Sequence, residues 1–276
     1  MSVSTTTSHG STLHYTRAGA GPAVLFIQGV GAIGRAWRPQ LEALAPDHTV
    51  LAFDNRGIGA SPLGSAPLSI EAMAADALAV ADAAGASAFD LVGHSMGGVI
   101  AQELALSARA RVRSLSLLCT FARGAQGARL SWDLLVAGLR SRIGPRSQRR
   151  RAFVELVMTR EYLADVDRAA LDATLADLFG RDLADQPPIV MAQLKAMSRY
   201  DALGRFASLA SIPTLVVSAT NDRIALPAFG RELAAAIPGS RYVEIPDAGH
   251  AVPIQCAGAI NALLRQHVSG NTRSIS

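Results

Sequence analysis

The chain has 276 residues, half of them apolar, and a formal charge of +4. That length buries a large core in one domain with room for an insertion, and the composition excludes a disordered or low-complexity chain. The charge does not imply a nucleic-acid partner: arginine supplies every basic residue except Lys195, and the basic residues lack the interleaved aromatics that single-strand binders use.

The first ten residues, MSVSTTTSHG, have no basic head and no apolar run, so no secretory leader is read from them. No apolar segment reaches the length of a membrane span without a Gly, Pro or charge. Cys119 and Cys256 both sit in apolar surroundings and need not pair, which fits a reducing cytoplasm. The expected location is cytoplasmic, with neither a membrane nor nucleic acid as partner.

SVSTTT and TLHYTRAG predict a hairpin turning at His9-Gly10. Short runs rich in Val, Leu, Ile and Phe then predict strands at 23–28, 49–54, 88–93, 114–119, 214–219 and 241–246. Most are apolar on both faces, as in a parallel sheet covered by helices. Helices are expected near 36–45, 70–84, 96–108, 227–236 and 252–267, with Ser69 as a cap for the second. The alternation defines an α/β fold with a doubly wound, mostly parallel sheet. It breaks between Arg123 and about Ala207, where WDLLVAGLR, RRAFVELVM, AALDATLADLF and VMAQLKAM read as helices inserted between two strands. RSRIGPRSQRRR, at 140–151, reads as an arginine-rich loop around Gly144-Pro145. Its charge would suit an acidic carrier protein or an acyl-CoA as partner, against the plainer reading of a solvated surface.

LVGHSMGG joins the predicted strand at 88–93 to the helix at 96–108. A G-x-S-x-G pattern between a strand and a helix holds its serine in a strained turn, with the hydroxyl above the sheet beside the helix N-terminus. Ser95 is therefore the candidate nucleophile. It needs a base, and the base an orienting group. Of six histidines, His94 adjoins the serine and is expected to point away. His9, His14, His48 and His267 lie at an edge, at the wrong strand end or near the C-terminus. His250, in YVEIPDAGHAVP, directly follows the last predicted strand. Asp222, four residues past the run at 214–219, is the preferred acid. Asp247 is the competitor, more suited to a hydrogen bond within the His250 loop. The order Ser95, Asp222, His250 is the one this kind of fold uses.

With GHSMGG, TNDRI, DAGH and FDNRGIGASP, the chain resembles the α/β-hydrolase superfamily over nearly its full length, in particular esterase-, lactonase- and haloperoxidase-like serine hydrolases. The resemblance implies Ser95 as nucleophile, His250 as base and Asp222 as orienting acid. It implies a core of residues 1–122 and 208–276, a helical cap at 123–207, and no cofactor or metal. Where such enzymes carry His-Gly after the first long strand, this chain has Gln28-Gly29. The resemblance places the oxyanion N–H donors at Val30 and Met96. Gln28 then either bonds the loop backbone or offers a donor near the site. Trp132, Met158, Tyr162 and Met197 are candidate pocket residues. The implied activity is hydrolysis of a small-molecule acyl substrate (ester, lactone or thioester) through an acyl-enzyme. C–C hydrolysis, perhydrolysis and lyase chemistry can use the same trio, and a hydrolase-like receptor is the non-enzymatic alternative. Aspartate-nucleophile dehalogenation is disfavoured by Ser95 itself.

Overall fold

Runs such as Ala23–Ile27 and Thr49–Phe53 are buried at every position, so both faces of these strands need cover. The fold supplies it from helices on each side of one sheet. The computed structural model describes residues 1–127, 136 and 138–272. In chain order the strands are β1 (Ser2–Ser8), β2 (Ser11–Ala18), β3 (Ala23–Ile27), β4 (Thr49–Phe53), β5 (Phe89–His94), β6 (Val112–Leu118), β7 (Thr214–Ala219) and β8 (Arg241–Ile245). The eight form one sheet in the order β1-β2-β4-β3-β5-β6-β7-β8. β4 through β8 run parallel by way of β3, and the β1–β2 hairpin is antiparallel at one edge. His9 and Gly10 both have positive φ, the geometry a two-residue hairpin turn requires.

The helices of the sheet layer are α1 (Arg38–Leu44), α2 (Ile70–Ala83) and α3 (Met96–Ser107), preceding the β6–β7 interval. Ser69 caps α2 through Oγ, which accepts the Ala72 N–H at 3.1 Å. In the interval lie α4 (Gly124–Gly127), α5 (Arg146–Val157), α6 (Arg160–Asp165), α7 (Arg168–Phe179) and α8 (Val190–Ser198). Then come α9 (Pro227–Ala236), α10 (Val252–Gln255) and α11 (Ala257–Thr272). The single helix expected at 252–267 is broken at Cys256, whose ψ of 42° leaves the helical region. The arginine-rich stretch is also not a loop throughout. Pro145 is the N-cap of α5, so the fixed φ of proline starts a helix here and Arg146 to Arg151 lie on it.

Chain order places the ligand crevice. From β3 the chain steps outward to β4, then returns to the other side of β3 as β5. Reversal of strand order opens a gap beyond the C-terminal ends of β3 and β5, where such sheets bind ligands. Beneath it, the turn after β4 is built by its polar groups. Asp54 accepts the N–H groups of Gly34 at 2.8 Å and Ala60 at 3.0 Å, and Asn55 donates to the Gln28 carbonyl at 3.0 Å. Arg56 and Asp76, fully buried, form a two-point ion pair at 2.6 and 2.5 Å.

The β6–β7 interval has its own core. Val154, Met158, Leu163, Leu171, Leu175 and Leu183 pack together, separate from the main cluster around the sheet. Ionic contacts tie α5 to α7 and the segment after it, Arg146 to Asp185 at 2.5 Å and Arg150 to Asp182 at 2.8 Å and Asp172 at 3.0 Å, while Arg151 pairs with Glu155 within α5 at 2.6 Å.

Candidate active site

Ser95 sits between β5 and α3 with φ 55° and ψ −124°, a conformation strained for any residue with a side chain. Close packing allows the turn. A Cβ on Gly93 would lie 2.3 Å from the Gly97 carbonyl oxygen, and one on Gly97 would lie 2.1 Å from the Ile27 carbonyl oxygen. The strained backbone is held at both polar ends. The Ser95 N–H donates to the Leu118 carbonyl at 3.0 Å, and its carbonyl accepts the Thr120 hydroxyl at 2.8 Å and the Gly98 N–H at 2.9 Å.

His250, in the loop after β8, lies 2.9 Å from Ser95 Oγ through Nε2 and 2.7 Å from Asp222 Oδ2 through Nδ1. A carboxylate only accepts, so Nδ1 carries the proton and Nε2 is free to accept from the hydroxyl. The other oxygen of Asp222 accepts the backbone N–H groups of Ile224 at 2.8 Å and Ala225 at 2.9 Å. The structure thus brings together the three residues selected from the sequence. Asp247 does not reach His250. It is an exposed turn residue with φ 53°, its N–H on Thr220 Oγ1 at 3.0 Å.

His94 was expected to point away from the site, yet it lines the same cavity as Ser95. Its ring centroid lies 4.9 Å from that of His250, and its Nε2–H donates to the His250 carbonyl at 2.8 Å. Burial and then the neighbouring His250 push its pKa down from the usual 6.5 to about 3, so it stays neutral and holds the His250 backbone. Position next to the serine hid this: β5 ends at His94, and the strand pleat turns it toward the β8 loop.

Cys119, Asp222 and His250 place a sulfur, an oxygen and a nitrogen within 4.8 Å of one another. These donors do not fit a resident cation. Burial and then the Asp222 carboxylate push the Cys119 thiol well above its usual range, and Nδ1 of His250 is engaged with Asp222.

A cavity of about 260 Å³ opens over Ser95. Its walls are mainly apolar, with Phe121, Phe153, Val157, Phe179, Leu194 and Ile254 among them. Met197 lines it, as expected. Met158 and Tyr162 do not. Met158 is 4% exposed within the interval's own core, and Tyr162 packs on that core. On α5, Val154 turns into that core while Phe153, Leu156 and Val157 line the cavity; Met158, the extended residue that ends α5, and Tyr162, on α6, pack with the core. Trp132 lies outside the described residues.

Gln28 and Val30, in the loop after β3, also line the cavity. Gln28 is only 5% exposed, and its Oε1 accepts the Gly29 N–H at 3.2 Å. Among the described residues, neither the Val30 N–H nor that of Met96, the first residue of α3, has a protein acceptor. The β6–β7 interval touches both loops at the site. The Ala251 N–H donates to the Val157 carbonyl at 2.8 Å, and the Gly31 N–H donates to Gln193 Oε1 at 2.9 Å.

Strand order, elbow and cavity define an α/β hydrolase, and comparison with known proteins agrees. The alpha/beta hydrolase fold family matches residues 22–255, and the chain belongs to it. It is 32% identical over 263 residues to a protein of Azorhizobium caulinodans named "Putative carbamate hydrolase RutD", covering 93% of this chain and 96% of that protein. Among solved structures, the enol-lactonase from Burkholderia xenovorans LB400 superposes with a TM-score of 0.81 at 27% identity, covering 96% of this chain and all of that one. A thermophilic esterase from Thermogutta terrifontis gives a TM-score of 0.79 at 26% identity, with 98% and 99% covered. No helix among the described residues is long and apolar enough to cross a membrane.

Proposed function

We propose that this α/β hydrolase is a serine hydrolase that cleaves a small, mainly apolar ester, lactone or thioester through an acyl-enzyme. The observation that carries the reading is His250 joining Ser95 Oγ to Asp222 at 2.9 and 2.7 Å on the floor of the cavity. Ser95 attacks the acyl carbon as His250 Nε2 takes its proton. Asp222, anchored by two backbone N–H groups, holds the imidazole in the correct tautomer. Val30 and Met96 N–H groups receive the negative oxygen of the tetrahedral intermediate. His250 then protonates the leaving group, and water repeats the sequence on the acyl-enzyme. The helical interval at 123–207 acts as a cap whose apolar wall takes the acyl chain. An enol-lactonase and an esterase among the structural neighbours support the ester and lactone classes. Arg146, Arg150 and Arg151 are engaged with acids of the chain itself, which favours a free small substrate over an acidic carrier protein. The test is a panel of p-nitrophenyl esters of increasing chain length together with simple lactones. Turnover with the shorter esters, abolished in Ser95→Ala, is the expected result. Equal turnover by wild type and Ser95→Ala would remove the assignment.

A further inference from the structure

The Val30 N–H belongs to the peptide that joins Gly29 to Val30, so whatever turns that peptide aims the donor. In a trans peptide the N–H points opposite to the C=O. The Gly29 carbonyl is turned back toward Ala32, whose N–H approaches it at 3.4 Å. That contact is long, and next to it stands Gly31 at φ 70°, a residue with little intrinsic resistance to a peptide flip. The loop cannot be fixed by its own hydrogen bonds alone.

Two side chains from the β6–β7 interval supply what is missing. Gln193 of α8 accepts the Gly31 N–H at 2.9 Å through Oε1. Arg181, just after α7, donates from Nη2 to the Gly31 carbonyl at 2.8 Å. Gln193 therefore fixes the Val30–Gly31 peptide, and Arg181 fixes the Gly31–Ala32 peptide. The N–H of that last peptide is the one facing the Gly29 carbonyl, which shares its plane with the Val30 N–H. The three successive peptides are thus set in series, two of them from outside the loop.

Besides Gly31, the Arg181 guanidinium stands 5.9 Å over the centroid of the Phe179 ring. Gln193 is fully buried, and among the described residues its Nε2 has no acceptor, as is true of Arg181 Nη1. Leaving a buried donor unmade carries a desolvation cost that Met or Leu would avoid. Among the described residues, the one hydrogen bond each side-chain head makes is to Gly31.

We infer that Gln193 and Arg181 are positioning residues for the oxyanion loop: through Gly31 they aim the Val30 N–H, so the helical interval completes the transition-state site and does not merely wall the pocket. The inference rests on the serine-hydrolase reading above. It assigns these residues an effect on turnover, because a misdirected N–H fails the developing oxyanion and not the bound ester.

The experiment measures p-nitrophenyl butyrate hydrolysis and inhibition by an alkyl trifluoromethyl ketone, whose adduct with serine mimics the tetrahedral intermediate. Gln193→Met and Arg181→Met should each lower kcat on the order of 10- to 100-fold, the scale of a misplacement near 1 Å. KM should stay within about twofold, and ketone affinity should fall in parallel with kcat/KM. Gln193→Glu, which keeps the acceptor, and Arg181→Lys, which keeps the donor, should recover most of the loss. Should Gln193→Met not fold, Gln193→Asn, one methylene short of Gly31, replaces it with the same expectation. Unchanged kcat, a change in KM alone, or conservative variants as poor as the methionine ones would overturn the inference while Ser95-dependent turnover left the hydrolase reading standing. A wild-type protein that neither turns over the ester nor binds the ketone would overturn both.

Discussion

The sheet and the helical interval solve different problems with different materials. The sheet places Ser95, Asp222 and His250 in the turns and loops that follow β5, β7 and β8. The interval between β6 and β7 has a small core of its own and a net of arginine–carboxylate pairs, and it meets the site along the cavity wall and at two loops. The proposed trio therefore sits just past the strand ends, while helices of the interval supply much of the apolar wall of the pocket. The two regions are joined at Gly31 and, beside His250, at Ala251.

The comparison is broken most severely in the sheet. Asp222→Asn should lower kcat on the order of 10⁴-fold by disturbing the His250 tautomer, whereas Asp247→Asn, an exposed turn change, should cost little. The reverse ranking in steady-state rates would move the acid to the other loop.

Stability gives the next contrast. Asp76→Ala leaves the Arg56 guanidinium buried without its carboxylate, at a cost of about 3–5 kcal/mol. Urea unfolding should show that loss in the global transition, because the pair lies under the sheet. A midpoint within error of wild type would remove the pair from the account.

Leu175→Ala, in the core of the interval, deletes buried volume for about 2–5 kcal/mol. Its effect should appear chiefly as faster hydrogen exchange in α5 and α7, with β5 to β7 still protected. Equal loss of protection in the strands would mean that the two regions unfold as one.

The last contrast concerns His94. Its folded pKa of about 3 lies below the usual 6.5, so between these values the unfolded chain binds a proton that the folded chain refuses. Stability contributed by the neutral form is full above pH 6.5 and is lost as pH falls, by up to about 1.4 kcal/mol per pH unit. In His94→Gln, unfolding measured from pH 6 to pH 4 should show a correspondingly shallower slope. An unaltered slope would place the titration elsewhere.

What could be read from the sequence follows the same division. Strands buried on both faces leave unbroken apolar runs, and the elbow demands small residues at Gly93 and Gly97, so the sheet and Ser95 were legible. His250 and Asp222 were legible because each closely follows a strand. Met158 and Tyr162 failed as pocket residues because which side of a segment faces a cavity is a tertiary property: Met158 ends α5 and Tyr162 lies on α6, and the sequence does not say which of their sides meets the cavity. The stretch around Gly144-Pro145 was misread since proline serves a helix start as readily as a loop. The Gly31 contacts were invisible for another reason. Their partners stand 150 and 162 residues away, and a buried Gln or Arg has no local signature.

The central claim is that Ser95 is a nucleophile activated by His250 beneath the cavity. Its most direct test is incubation with a fluorophosphonate, followed by digestion and mass spectrometry. One covalent adduct on Ser95, formed in the wild type and strongly slowed in His250→Ala, is the predicted result. An intact, folded protein that gains no adduct, or gains it at another residue, would contradict the account.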